Sequence, residues 1–165
     1  MPRVTTTYDE VHELPSYFDA TITKDHLDAM GHMNVMWYTH FFSQGMGGLF
    51  AQVGLDWDTV LQHQRGTFAL EGHTHYLSEC REHDAVQVFA RVVGRSEKRY
   101  HVVQYITNET KRSVAAALEL VGAHVDLSIR RMAPMPSDVA SAFDRLIEAH
   151  AKLDWPAPLS GIMAP

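Results

Sequence analysis

From Tyr38 the large apolar residues fall at positions 38, 41, 42, 46, 49, 50 and 53. That is the i, i+3, i+4, i+7 spacing of a helix with one broad buried face. The stretch beginning at Asp25 is polar and loop-like, and it passes into an apolar helix of about five turns. Gly45, Gly47 and Gly48 interrupt the helix, at about 1 kcal/mol each relative to alanine. Such a sequence suits a helix whose backbone lies close against a neighbour, and a sheet is the expected neighbour. Asn34 stands where an N-cap belongs, with a side-chain oxygen able to accept from an N–H two or three residues on. Asp28, Gly31 and His32 come just before it. A carboxylate, an imidazole and free backbone N–H groups therefore meet at one helix N-terminus, a place suited to acyl chemistry.

Length and composition limit the alternatives. A chain of 165 residues makes one domain with a real core. Charged residues at 21% and hydrophobic ones at 45% indicate a globular, soluble protein. No apolar run reaches the length of a membrane span, and Met1 to Pro15 has no hydrophobic signal core. The single cysteine, Cys80, excludes an internal disulfide framework and suits a reducing cytoplasm. A net charge of −6 speaks against a general nucleic-acid binder, while leaving room for a local basic patch.

Along the chain, residues 1–15 are expected to form a loosely held arm. Strands are expected over Tyr17–Thr23, Thr67–Glu79, Asp84–Val93, Arg99–Thr107 and Ser113–Leu127, from their β-branched and aromatic content between turn signals. Helices are expected over 34–53, with Gly54 following as a C′ glycine, over 56–64, and over 138–151 with Ser137 as cap. The tail from Trp155 is Pro-rich and reads as irregular. One long helix followed by four strands indicates α+β, with an antiparallel sheet wrapped around the helix. Ala115, Ala116, Ala117, Gly122 and Ala123 look small enough to admit the helix. A curved sheet of this kind leaves edges open, so edge-to-edge pairing of two copies is expected. The domain is taken as 16–135, followed by a C-terminal helix and tail over 136–165.

The segments Asp28-x-x-Gly31-His32-Met33-Asn34, Tyr38, Phe41-Phe42, Gly54-Leu55, Tyr76-Leu77-x-Glu79, Asp84-x-Val86, Ala115-Ala116 and His124-Val125-Asp126 resemble the hotdog-fold acyl-CoA thioesterases of the 4-hydroxybenzoyl-CoA thioesterase-like (4HBT-like) superfamily. The resemblance covers roughly residues 16 to 145, and its most specific part is the helix entry. The Gly-His-Met-Asn form is similar to thioesterases of carnitine and betaine breakdown. It implies a hotdog fold and hydrolysis of a small-to-medium acyl-CoA to free acid and coenzyme A. It also implies a homodimer or homotetramer in the cytoplasm, with no cofactor beyond the coenzyme A of the substrate, no metal, and no nucleic-acid or membrane partner. Two positions depart from the pattern. Val35 stands where many relatives have a second Asn, and His83 where a Gly usually precedes the strand Asp.

Thioester cleavage needs an oxyanion stabiliser, and N–H groups at a helix N-terminus provide one, aided by the macrodipole. By the resemblance the Val35 N–H is that donor, and Gly31 lets the loop turn. Asp28 would attack the carbonyl directly or activate water; a plain capping carboxylate is the alternative. Some relatives carry the acid on the helix instead, but no Asp or Glu lies between Asn34 and Val53. His32 is a candidate for orienting the carbonyl, Asp28 or water, and equally for a hydrogen-bonded loop histidine. Asn34 reads first as a cap and second as a site residue. Asp25 and His26 are expected to face solvent.

Arg91, Arg95, Lys98 and Arg99 cluster about a strand turn, with Arg130-Arg131 further on; they are candidates for the phosphates of coenzyme A or a solvated turn. Trp37 is a candidate lining residue of an acyl pocket. His73 and His75 share one strand face, but no companion ligands accompany them for zinc. Glu119, among alanines, reads as paired or at an edge. Two rival functions stand beside hydrolysis: a non-catalytic acyl-CoA or acyl-carrier binding protein, and a hotdog dehydratase, which would want an acid on the helix.

Overall fold

The computed structural model describes residues 4–165; Met1–Arg3 of the expected arm lie outside the described residues. The elements run α1 (Tyr8–Val11), β1 (Ser16–Thr21), α2 (Val35–Gln52), α3 (Trp57–His63), β2 (Arg65–Tyr76), β3 (Ala85–Arg95), β4 (Arg99–Asn108), β5 (Ser113–Asp126), β6 (Arg131–Met132) and α4 (Ser137–His150). Five strands form one antiparallel sheet in the order β1-β3-β4-β5-β2, and β6 adds to the end of β5. The expected α+β hotdog architecture is present: a curved antiparallel sheet around one long helix.

The long helix takes its position from its glycines. A Cβ on Gly45 would sit 2.5 Å from Val88 Cγ1, and one on Gly48 would sit 2.7 Å from the Tyr17 carbonyl oxygen. The helix backbone therefore rests directly on β1 and β3. The small residues of β5 divide their roles. Ala115 and Ala116 lie in the cluster with Tyr38, Phe41 and Phe42. Ala117 faces the other way, in the cluster with Trp155, and Gly122 leaves room for the Tyr100 phenol. Gly54, at φ +80°, ends the helix run as expected.

The outer face of the sheet is covered by the two ends of the chain. Thr7 and Glu10 close a reciprocal cap around the short helix α1, which seats Val11 and Leu14 against Phe89, Val103 and Tyr105. The described part of the arm is thus docked, because two apolar side chains in a polar segment find a ready surface. Trp155 of the tail joins the same cluster. Helix α4 begins with Pro136 in the cap position and without a side-chain cap, so Ser137 is its first residue. Its last residue, His150, accepts the Val92 N–H on Nδ1 at 2.9 Å. That closes the edge of β3 where β1 has ended. The outer edge of β2 carries exposed Phe68 and Leu70.

Candidate active site

The loop before α2 is a small closed structure. The Asp28 N–H donates to the His32 carbonyl at 3.0 Å and the Gly31 N–H to the Asp28 carbonyl at 3.1 Å. Gly31 takes φ +81°, a conformation that residues with a Cβ rarely adopt. The loop is anchored from both sides: the Met33 N–H donates to the Cys80 carbonyl at 2.8 Å and the Asn34 N–H to the His26 carbonyl at 2.9 Å. Cys80 sits in turn on a buried network. Asp84 accepts from the Arg81 N–H at 2.8 Å and the Asn108 amide at 2.7 Å, and pairs with Lys111 at 2.9 Å. Burial opposes the Asp84 charge, yet these partners outweigh it and hold its carboxyl below the usual range.

Within this frame Asn34 caps α2. Its Oδ1 accepts the Met36 N–H at 2.9 Å, and its carbonyl accepts the Trp37 N–H at 2.9 Å. The Val35 N–H has no hydrogen-bond partner among the described residues, and Val35 lines a cleft of about 500 Å³ together with Asp28, His32, Tyr38, Tyr76 and Glu79. Asp28 accepts the Met30 N–H on one oxygen at 2.8 Å. Its other oxygen lies 3.5 Å from His32 Nδ1, the two side chains being 19% and 32% exposed. Half of the carboxylate thus fixes its orientation and half stays available beside an imidazole. Tyr38 donates to the Ser78 carbonyl at 3.3 Å, and burial raises its phenol well above the ordinary value. Cys80 is buried and its thiol is likewise raised by burial, which suits packing rather than nucleophilic work.

The remaining candidates scatter. Trp37 turns to the other side of α2, with its ring edge-on to His26 at 4.4 Å and to His40 at 5.3 Å, outside the cleft lining. His26 is half-buried and accepts the Thr23 N–H at 2.9 Å, where solvent exposure was expected; Asp25 is exposed. Arg91 lies beneath the tail, donating to the Trp155 carbonyl at 2.7 Å and the His150 carbonyl at 3.2 Å. Arg95 grips both oxygens of Asp144 at 2.7 and 2.6 Å. Both guanidiniums hold α4 and the tail. Lys98 and Arg99 are exposed at the β3–β4 turn, at the end of the sheet away from the cleft. Arg99 is seven residues along β4 from Ile106, whose cross-strand row reaches Tyr76 through Ala116, or roughly 23 Å at 3.3 Å per residue. Glu119 is buried and paired with His101 at 2.9 Å. The His73 and His75 rings are 4.5 Å apart, and among the described residues no group of three or more His, Cys, Asp or Glu side chains converges as a metal site would.

The sequence reading put Tyr38 on the buried face of the helix and Tyr76 and Glu79 in a family-like strand segment, but gave none of the three a place in the site, where they complete the cleft wall. The Tyr-Leu-x-Glu run at the end of β2 was the available signal.

The thioesterase-like superfamily matches residues 22–143. The chain belongs to the thioesterase-like superfamily. It is 27% identical over 138 residues to the L-carnitine dehydrogenase/betainyl-CoA thioesterase of Rhizobium meliloti, covering 84% of this chain and 28% of that protein. This superfamily member therefore spans under a third of the length of the curated relatives it matches. Its fold is similar to that of a Staphylococcus aureus protein characterised in complex with CoA (TM-score 0.81, 23% identity, 92% of this chain and 96% of the other). It is also similar to that of a 1,4-dihydroxy-2-naphthoyl-CoA thioesterase from Synechocystis (TM-score 0.68, 12% identity, 86% and 100%). Among the described residues no helix is long and apolar enough to cross a membrane.

Proposed function

We propose that this chain hydrolyses the thioester of a small-to-medium acyl-CoA, with Asp28 as nucleophile or general base. One observation carries the proposal: Asp28, with one carboxylate oxygen facing only His32, and Val35, which bears the unpartnered first N–H of a long helix, line the same cleft. A carbonyl oxygen seated on the Val35 N–H would gain negative charge at the positive end of the α2 dipole. If Asp28 attacks, its oxygen bonds to the carbonyl carbon, the C–S bond breaks, and water then hydrolyses the mixed anhydride. If Asp28 acts as base, it takes a proton from water, the resulting hydroxide adds to the carbon, and the proton passes to the leaving thiolate. His32 sits where it can position either Asp28 or that water.

The proposal includes a dimer. β2 is long, lies at an edge, and exposes Phe68 and Leu70, the features of an edge that pairs. Antiparallel pairing about the middle of β2 would bring the Arg65 end of one copy to the Tyr76 end of the other. The partner's β3–β4 turn, with its basic residues, would then approach this cleft, and Lys98 and Arg99 would meet the phosphates of coenzyme A from across the interface. A cytoplasmic setting, with Cys80 reduced, goes with this reading. The test is a panel of acyl-CoAs, betainyl-CoA included, with detection of released thiol. Turnover of at least one member supports hydrolysis; tight binding with no thiol release would establish the non-catalytic binder instead.

A further inference from the structure

Asp28 is joined to a buried carboxylate outside the cleft by one continuous chain of hydrogen bonds. The first link is the Asp28 N–H, which donates to the His32 carbonyl at 3.0 Å. That carbonyl and the Met33 N–H belong to one planar peptide unit. The Met33 N–H donates in turn to the Cys80 carbonyl at 2.8 Å, which shares a second planar unit with the Arg81 N–H. The Arg81 N–H then donates to Asp84 Oδ2 at 2.8 Å. The same oxygen accepts the Asn108 amide at 2.7 Å and lies 2.9 Å from Lys111 Nζ. Only three hydrogen bonds and two rigid peptide units therefore separate the Asp28 backbone from the Asp84 carboxylate.

Lys111 closes the chain from the turn between β4 and β5. Its backbone N–H donates to Asn108 Oδ1 at 2.9 Å, and its Nζ also donates to the Glu79 carbonyl at 3.2 Å. With Tyr38 on the Ser78 carbonyl at 3.3 Å, the carbonyls of residues 78, 79 and 80 are each held by a different part of the fold. The stretch lies beyond the end of β2. There the Leu77 and Ser78 N–H groups share the single carbonyl of Ala115, at 2.8 and 3.1 Å, so these side-chain donors take over from a strand ladder. Asp84 is 6% exposed, and a buried carboxylate stripped of its cation is left uncompensated. It then draws in water or turns to other donors, and the peptide unit bonded to it moves with it. Met33, at the far end of that unit's other hydrogen bond, is two residues before Val35. Neither Asp84 nor Lys111 lines the cleft. We propose that Lys111 and Asp84 are positioning residues, which set the placement of Asp28 against the Val35 N–H through the Cys80 and His32 carbonyls. This inference rests on the acyl-CoA reading above and adds two residues that act on the reaction without touching the substrate.

The test compares the full chain with Lys111→Met, Lys111→Arg and, as a control on the same turn, Arg112→Met, since Arg112 pairs outward with the exposed Asp9 at 2.9 Å. For each protein kcat and KM are measured on the best acyl-CoA, with Kd for a non-hydrolysable thioether analogue. Melting temperature and amide hydrogen exchange at Met33 and along β4 are read beside them. A misplacement of 1 Å can cost about 10²-fold in rate, and Lys111→Met is expected to lower kcat by about tenfold, with KM and Kd hardly changed. Exchange at Met33 should quicken while the β4 amides keep their protection, which separates a displaced loop from a fold that has loosened. Lys111→Arg, which keeps a cation beside Asp84, should retain most of the parental kcat, and Arg112→Met all of it. Parental kcat and parental Met33 exchange in Lys111→Met, or the same losses in Arg112→Met, would overturn the inference and leave the enzyme standing. Faster Met33 exchange in Lys111→Met, with no hydrolysis of any ester by the parent, would sustain the connection to the Asp28 loop and remove the enzymatic reading.

Discussion

Gly47 and Gly48 are adjacent on one helix and should respond to alanine in opposite directions. In a helix interior alanine is favoured over glycine by about 1 kcal/mol. A Cβ at Gly47 would meet nothing within 4 Å, so Gly47→Ala should stabilise by about that amount. A Cβ at Gly48 would lie 2.7 Å from the Tyr17 carbonyl oxygen and 3.0 Å from Tyr17 Cβ. Those atoms belong to the paired strand β1 and cannot swing away as a side-chain tip would. Overpacking of this kind costs about 1–3 kcal/mol, so the net effect of Gly48→Ala is a loss of about 1 kcal/mol. The two variants should then differ by about 2 kcal/mol, or roughly 4–8 °C in Tm for a chain of this size. Urea and thermal unfolding at one fixed protein concentration read the difference, the concentration being held because association would shift both. Equal stabilisation by both substitutions would show that α2 does not rest on β1 as described.

Two further outcomes follow from the buried polar groups. Burial, with the nearby Arg91 cation, holds His150 below its ordinary value of 6.5. The unfolded chain therefore takes up this proton first, and stability should decline as pH falls below about 6.5; the slope of Tm between pH 7 and 5 should be smaller in His150→Asn. Asp84→Asn should lose about 2 kcal/mol at neutral pH, because Lys111 and the Arg81 N–H lose the charge they face. Chemical unfolding checks this. The depressed carboxyl adds that, in the parent, this contribution is kept above about pH 3.9 and lost in stronger acid.

The helix was legible because its period is long and its N-cap, Asn34, and C′ glycine, Gly54, mark both ends. The strands were legible to within two or three residues, for the same reason that turns announce themselves. Three features were not. The docking of the arm depends on two isolated residues, Val11 and Leu14, which show no period. The engagement of Arg91 and Arg95 with α4 and the tail is a long-range pairing, and a cluster of cations in sequence says nothing of the acceptors that fold onto it. Gln104 sits in an alternating strand and looks like any polar residue, yet it is fully buried against α2 at Gly45, with its amide lacking a hydrogen-bond partner among the described residues. The departure at His83 has a local reading: it takes φ +71°, the left-handed conformation for which glycine is the usual choice. Asp28, His32 and Val35 stayed together because they lie in one short loop and the first residue of the helix it enters, where sequence neighbours are spatial neighbours.

The most direct measurement is turnover by Asp28→Asn on the best acyl-CoA substrate. The amide keeps the size of the side chain and an oxygen for the Met30 N–H, so the loop, the Kd for a non-hydrolysable analogue and the Tm should hardly change. What disappears is the charge that attacks the carbonyl or takes a proton from water. The account predicts a fall in kcat of at least about 10²-fold, with a smaller loss in His32→Ala. Near-parental turnover by Asp28→Asn would make Asp28 an ordinary loop carboxylate and contradict the proposed chemistry.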